Sequence, residues 1–176
     1  FVQHPDGNWL IDSPRYLKPL VDAFDRMGGL AHIFLTHEDD VAEAARYASR
    51  FGAERIIHRA DVHAMPDAEV IVEGTDARVY REEFRIIPVP GHTAGSLCLL
   101  YRDRFLFTGD HLWWEPEVRE LASPRQLVWN AAALHRSIEQ LTNCSFEWVL
   151  AGHGGRVWLP QSEMRAAVRD LVERRQ

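Results

Sequence analysis

The sequence contains few cysteines, an excess of acidic over basic residues, and no long hydrophobic run. Only two of its 176 residues are cysteines, and we expect both to be unpaired thiols in a reducing, cytoplasmic compartment. No apolar stretch approaches the ~20 residues that a membrane-spanning helix needs. The net charge of -6 disfavours nucleic acid and anionic membranes as partners. These features predict a soluble protein.

Several common functional patterns are also missing. The chain has no Ser-His-Asp arrangement, phosphate-binding glycine loop, CxxC motif, repeat, low-complexity segment or signal-peptide pattern. Its length predicts one domain over residues 1–176. Because the opening "FVQH" reads as the interior of a longer sequence, we expect this domain to lack an N-terminal segment.

The pattern of apolar residues predicts a mixed α/β protein. Strands are expected at 31–35, 54–58, 69–73, 77–80, 84–89, 96–101, 104–108 and 147–151. Helices are expected from Asp12-Ser13-Pro14 to Gly28, over about 41–51 and 125–141, and after Pro160. Helices at the start, middle and end of the chain, with strands between them, predict a layered α/β fold.

Four of the predicted strands end at a residue that can bind a metal ion. These residues are His37, His92, Asp110 and His153, and glycine lies beside three of them. Each alone is a weak signal, since a histidine after a strand is commonly a surface residue. Four together, on loops held by a rigid sheet, predict a metal site.

The ordered motifs "THEDD", "PGHTAGS", "TGDH" and "AGHG" resemble those of the metallo-β-lactamase fold superfamily over most of the chain. The resemblance implies an αββα four-layer sandwich with a metal site between the edges of two sheets. It also implies that His37, His92, Asp110 and His153 occupy ligand positions of the family.

The first motif departs from the family pattern His-x-His-x-Asp-His. Asp39 stands where the second histidine belongs, and Val41 and Ala42 stand where the Asp-His pair belongs. The second metal therefore loses two ligands, and the resemblance implies one divalent ion. His37, His92 and Asp110 would hold it, with Asp39 as a candidate fourth ligand. Zinc is preferred, and iron and manganese are alternatives.

The resemblance implies a metal-dependent hydrolase that acts on an ester, thioester or lactone. In this interpretation Asp110 orients the attacking water and His153 transfers a proton. Two histidines and one aspartate also form a non-haem iron triad, so an iron oxygenase that acts on a thiol or persulfide is an alternative. A third hypothesis is a non-catalytic domain of a larger chain that binds a metal or ligand.

The acidic residues after His37 have competing structural interpretations. Asp40 and Glu43 fit a capping pattern for the following helix, so we expect Asp40 to be its N-cap. Glu38 is expected to be exposed, and Asp39 is equally consistent with a metal ligand and a solvated carboxylate.

Other polar and aromatic residues near the motifs carry weaker signals. We expect His111 at the surface, with a place in the cleft as the alternative, and His58 and His63 at the surface or behind the ligands. Thr93 and Ser96 should bond their own loop, and Trp113-Trp114 fit ordinary packing and an apolar wall beside the metal equally well.

Overall fold

The computed structural model describes residues 1–175, which form two compact units. The first comprises Phe1–Glu73, and the second begins at Gly74. Each unit contains its own main β-sheet and its own cluster of buried apolar side chains. Among the described residues, no helix is both long enough and apolar enough to cross a bilayer.

The first unit is a four-stranded parallel sheet with helical crossovers. Its strands are β1 (Trp9–Ile11), β2 (His32–Phe34), β3 (Glu54–His58) and β4 (Val70–Val72), in that order across the sheet. Its helices are α1 (Lys18–Arg26) and α2 (Ala44–Phe51), with 3₁₀ segments at Glu38–Asp40 and Arg59–Ala64. Parallel neighbours require such crossovers, and they place the carboxyl ends of all four strands at one edge of the sheet.

Two predicted helix starts in this unit are wrong. Helix α1 begins at Lys18 and not at Asp12, because Asp12 has a left-handed backbone with φ 58° that cannot continue a right-handed helix. Helix α2 begins at Ala44 after a 3₁₀ turn, and its N-cap is Glu43, with no side-chain capping bond. Asp40 therefore does not cap α2; it ends the 3₁₀ turn, and its carbonyl accepts from the Ser13 amide.

The second unit is a six-stranded mixed sheet. Its strands are β5 (Arg78–Tyr80), β6 (Phe84–Pro88), β7 (Leu97–Tyr101), β8 (Phe105–Gly109), β11 (Trp148–Ala151) and β12 (Val157–Trp158), and β9 (Trp113–Glu115) and β10 (Glu120–Ala122) form a separate ribbon. The order across the sheet is β12-β11-β8-β7-β6-β5. The predicted strands are present, whereas β9, β10 and β12, of two or three residues each, were not predicted.

Two helices complete the second unit, α3 (Ala131–Leu141) and α4 (Gln161–Arg174). Helix α3 was expected from residue 125 but begins six residues later, where the Asn130 side chain accepts a 2.8 Å hydrogen bond from the Ala133 amide. Both helices contribute buried apolar side chains, including Leu134 and Leu171, to one core cluster with β7 and β8. All five residues of β7 are buried.

A buried guanidinium joins β3 to the segment before β4. Arg55 is 6% exposed, and its Nε and Nη2 donate to the two carboxylate oxygens of Glu69 at 3.0 and 2.7 Å. The Arg55 amide also donates to Glu69 at 2.7 Å. Hydrogen bonding from Arg55 lowers the pKa of Glu69 to about 2. The pair therefore stabilises this sheet while Glu69 is ionised.

We predict that Glu69→Gln lowers the free energy of unfolding, and that the loss depends on pH. Because the folded-state pKa is lowered from 4.5 to about 2, the ionised carboxylate stabilises the fold fully above pH 4.5, and this contribution disappears as the pH falls toward 2. Urea unfolding of both proteins from pH 7 to pH 2 measures the difference. Glu73→Gln is the control, since its exposed pair with Arg59 should contribute only about 0–1 kcal/mol. A Glu69→Gln loss that is constant across this range would contradict the prediction.

Candidate metal centre

The second unit brings three of the predicted ligands together at one sheet edge. Strands β6, β8 and β11 run in the same direction, so the residues that follow them share an edge. His153 Nδ1 lies 2.7 Å from Asp110 Oδ1, and His92 Nε2 lies 3.9 Å from Asp110 Oδ2. His92 and Asp110 are largely buried, whereas the His153 side chain is 71% exposed.

The contact between His153 and Asp110 defines a tautomer. A carboxylate only accepts hydrogen bonds, so the Nδ1 atom of His153 carries the proton that it donates to Asp110. The lone pair of the neutral ring is then on Nε2. Asp110 thus orients the imidazole and leaves the lone pair on Nε2, an atom that can accept a proton or a metal ion.

The turn that carries His92 packs closely against α3, and there is no room for a side chain at Gly91, the preceding residue. A Cβ built at Gly91 would lie 2.5 Å from Leu134 Cα, and the Trp129 amide donates to the His92 carbonyl at 2.8 Å. As expected, the side chain of Ser96 accepts from the Thr93 amide at 2.9 Å within the same loop. These contacts hold the backbone of His92 in one position.

The His153 loop packs against the tryptophan pair of β9. A Cβ at Gly154 would lie 2.6 Å from Trp113 Cδ1, and one at Gly155 would lie 2.4 Å from the Trp114 carbonyl oxygen. The amides of Trp114 and Gly155 each donate to the other's carbonyl. Of the two interpretations of Trp113-Trp114, these contacts support packing.

The prediction for His111 is wrong. Its side chain is 1% exposed, and neither ring nitrogen has a hydrogen-bond partner among the residues that the structure describes. Burial lowers the pKa of His111 to about 3, with smaller effects from Arg175 and His92. The ring is therefore neutral at physiological pH. The polar motif around Asp110 suggested an exposed residue, but the chain enters the interior at this point, since Leu112, the next residue, is also buried.

In the first unit, His37 is part of a buried chain of polar groups. The Thr36 hydroxyl oxygen lies 2.9 Å from His37 Nδ1 and donates to the Asp12 carboxylate at 3.0 Å. His37 Nε2 lies 3.8 Å from Asp39 Oδ2. His37 and Thr36 are each 1% exposed, whereas the Asp39 side chain is 65% exposed.

The loop that carries His37 is held from its other side by the segment after β3. The Glu38 amide donates to buried Asp61 at 3.1 Å, and the Glu38 carboxylate lies 2.7 Å from His63 Nε2. Glu38 is therefore half-buried and paired, and the prediction that it is merely exposed is wrong. His58 accepts from the Ala60 amide and caps the following 3₁₀ turn.

Val41 and Ala42, which replace two family ligands, differ in their surroundings. Val41 is partly buried and packs against the core of the first unit. Ala42 is exposed and has a positive φ of 29°.

Within each unit, the donor atoms have separations that suit a metal ion. Zinc binds imidazole nitrogen and carboxylate oxygen at about 2.0–2.2 Å. Two donors 3.8 Å apart, as in His37 and Asp39, or 3.9 Å apart, as in His92 and Asp110, can therefore both reach one ion. The chemistry of these donors fits zinc, iron or manganese.

The chain belongs to the metallo-beta-lactamase superfamily. The model of that family matches residues 24–153, a stretch that includes all five predicted ligands. The family resemblance and the α/β fold of the metallo-β-lactamase type are thus confirmed.

Sequence relatives include proteins named hydroxyacylglutathione hydrolase. The one from Cereibacter sphaeroides is 37% identical over 120 residues, which are 64% of this chain and 47% of the relative. The one from Acidiphilium cryptum is 29% identical over 157 residues, covering 86% of this chain and 62% of the relative. The chain thus spans about half to two thirds of these relatives' lengths.

Solved structures with this fold include a B3 metallo-beta-lactamase, BLEG-1, with a TM-score of 0.72 and 17% identity, covering 93% of this chain and 89% of that one. TTHA1623, crystallised in a di-iron-bound form, has a TM-score of 0.70 and 21% identity, covering 89% and 87%. ETHE1 from Myxococcus xanthus has a TM-score of 0.64 and 24% identity, covering 94% and 74%.

Three residues beside His37 were not identified from the sequence: Asp12, Thr36 and Asp61. All three follow strands of the parallel sheet, whose carboxyl ends share an edge. The signal for Asp12 was its place directly after the apolar run "WLI", but the following Ser-Pro favoured a helix start.

We predict that Gly91→Ala displaces the His92 turn and destabilises the fold, because the new Cβ overlaps the backbone of Leu134. Overpacking of this kind costs about 1–3 kcal/mol. Urea unfolding measures the loss, and the imidazole ¹⁵N chemical shifts of His92 report the displacement. Gly52→Ala is the control; a Cβ at Gly52 meets nothing within 4 Å, so this variant should leave the His92 shifts unchanged. Unchanged His92 shifts in Gly91→Ala would count against the packing role.

Proposed function

We propose that this chain is a metal-dependent hydrolase that cleaves an acyl bond of a small molecule, with thioesters as the preferred class among thioesters, esters and lactones. Family membership supports the metal-dependent chemistry. The relatives named hydroxyacylglutathione hydrolase support the thioester, since an acyl group on glutathione is carried by sulfur. The 2.7 Å contact of His153 with Asp110 is the observation that carries the proposal.

The proposed ligands of the ion are His37, Asp39, His92 and Asp110, and His153 is an alternative ligand, since its Nε2 can bind the ion or accept a proton but not both. Their places in the family motifs support this set, and the donor separations within each unit agree with it. The direct bond from His153 to Asp110 favours proton transfer as the main role of His153. Zinc is the preferred ion, with iron and manganese as alternatives.

We further propose that one ion is bound per chain. Val41 and Ala42 occupy the positions of the family's Asp-His pair, and neither side chain has a donor atom. The side chain of Val41 instead packs on apolar neighbours. The remaining donors are enough for one complete ligand set, since zinc sites commonly use four ligands.

The side chains of the second unit have distinct tasks in the proposed reaction. A bound divalent ion would polarise the acyl carbonyl and make water more acidic. Asp110 holds His153 with its Nδ1 proton inward, so that Nε2 accepts the proton released by the attacking water. The Asp110 carboxylate then stabilises the positive charge on the ring, and His153 returns the proton to the leaving sulfur.

Metal analysis of the purified protein tests the ligand set. We expect close to one ion per chain in the wild type, and a loss of that ion in His92→Ala, because the site has few donors to spare. His58→Ala is the matched control, since His58 caps a 3₁₀ turn, and should retain the ion. Two tightly held ions in the wild type would contradict the single-ion proposal, and full occupancy in His92→Ala would remove His92 from the ligands.

Hydrolysis assays test the function. A hydroxyacylglutathione thioester should be cleaved, and His153→Ala should lower kcat by about 100- to 10,000-fold, the usual contribution of general acid–base catalysis. The His58→Ala variant should cleave the thioester at the wild-type rate. Absence of cleavage, together with oxygen uptake on a persulfide by the Fe(II) form, would replace the hydrolase with the iron oxygenase. Absence of both would indicate a binding domain.

A further inference from the structure

Asp12 has a strained backbone that directs its carboxylate along the edge of the parallel sheet. It follows β1 with φ 58°, a left-handed conformation that is sterically unfavourable for most residues other than glycine, although aspartate and asparagine adopt it more often than the rest. Its amide donates to the Phe34 carbonyl at 2.8 Å, and Ile11 lies opposite Phe34 in the parallel register. The turn thereby brings the carboxylate beside Thr36, two residues beyond Phe34.

The carboxylate of Asp12 binds Thr36 through both oxygens. The Thr36 amide donates to Oδ1 at 2.7 Å, and the Thr36 hydroxyl donates to Oδ2 at 3.0 Å. The hydroxyl oxygen is in turn 2.9 Å from His37 Nδ1. Thr36 and His37 are each 1% exposed, and Asp12 is half-buried.

The direction of each hydrogen bond follows from the number of protons. An ionised carboxylate has no proton to donate, and a threonine hydroxyl has one. If that proton pointed to His37, lone pairs of the hydroxyl and of Asp12 Oδ2 would face each other at 3.0 Å. The proton therefore points to Asp12, the hydroxyl oxygen accepts from His37, and His37 Nδ1 carries the proton.

We propose that Asp12 is a positioning residue which, through Thr36, holds His37 in the Nδ1–H tautomer and so presents the lone pair of Nε2. Nε2 is the atom on the side of Asp39, 3.8 Å from its Oδ2. Partners of this kind orient metal-binding histidines and raise their basicity. The tautomer follows from the first unit alone; the benefit for metal binding rests on the proposed function, in which His37 is a ligand.

Asp12→Asn tests this assignment by reversing one hydrogen bond. The asparagine oxygen should still accept from the Thr36 amide, which places its NH₂ against the Thr36 hydroxyl. That NH₂ donates, so the hydroxyl proton must turn to His37 Nδ1, and the ring proton moves to Nε2. Asparagine tolerates the left-handed backbone as aspartate does, so the variant should fold.

The main measurement is the two-bond ¹H–¹⁵N correlation spectrum of the metal-free protein, labelled in histidine, at a pH where the rings are neutral. We expect the Nδ1–H pattern for His37 in the wild type and the Nε2–H pattern in Asp12→Asn. Zinc affinity should fall about 10- to 100-fold in Asp12→Asn, the usual effect of losing such a partner. An Nδ1–H pattern that persists in Asp12→Asn, or an Nε2–H pattern in the wild type, overturns the proposal.

Three further variants separate positioning from folding. Thr36→Ser retains the hydroxyl and should retain both the tautomer and the zinc affinity. Thr36→Val has nearly the same shape without the hydroxyl, so the Nδ1–H preference should be lost; it also provides the test if Asp12→Asn does not fold. Ser13→Ala, at the neighbouring residue, should change neither measurement. A switched tautomer with unchanged zinc affinity would support the role of Asp12 and contradict the proposed function of His37 as a ligand.

Discussion

The direction of the strands determines where this protein places its reactive side chains. In the second unit, β6, β8 and β11 run the same way, and the residues beyond their carboxyl ends meet although they are far apart in sequence. In the first unit, the parallel pairing of β1 with β2 has the same effect on Asp12 and Thr36. The loops carry the reactive side chains, but the pairing of the strands makes those loops neighbours.

Much of this arrangement was predictable, because it depends on local signals that the chain shows strongly. Apolar runs located the longer strands, and the motif residues His92, Asp110 and His153 stand within four residues of the ends of those strands. The helix starts were less predictable. Asp12 and Asp40 both look like caps in isolation, but Asp12 bonds Thr36 and Asp40 closes a 3₁₀ turn. Tertiary partners, which a local pattern does not contain, decided both cases.

The environments of single side chains were the least predictable feature. His111 follows Asp110 in a polar motif, yet it lies in an apolar interior and is neutral. Glu38 sits in a run of acids, yet its pairing with His63 depends on the crossover after β3. The glycines of the ligand loops show the same dependence, since their need for close approach comes from Leu134 and the tryptophan pair. Such constraints are visible only when the opposing element is known.

The packing of Val41 on the first-unit core has a consequence for any restoration of the full family motif. An aspartate at this position would place a carboxylate against apolar side chains, which is unfavourable without a compensating partner. A return to the full family motif by single steps would therefore pass through a less stable protein.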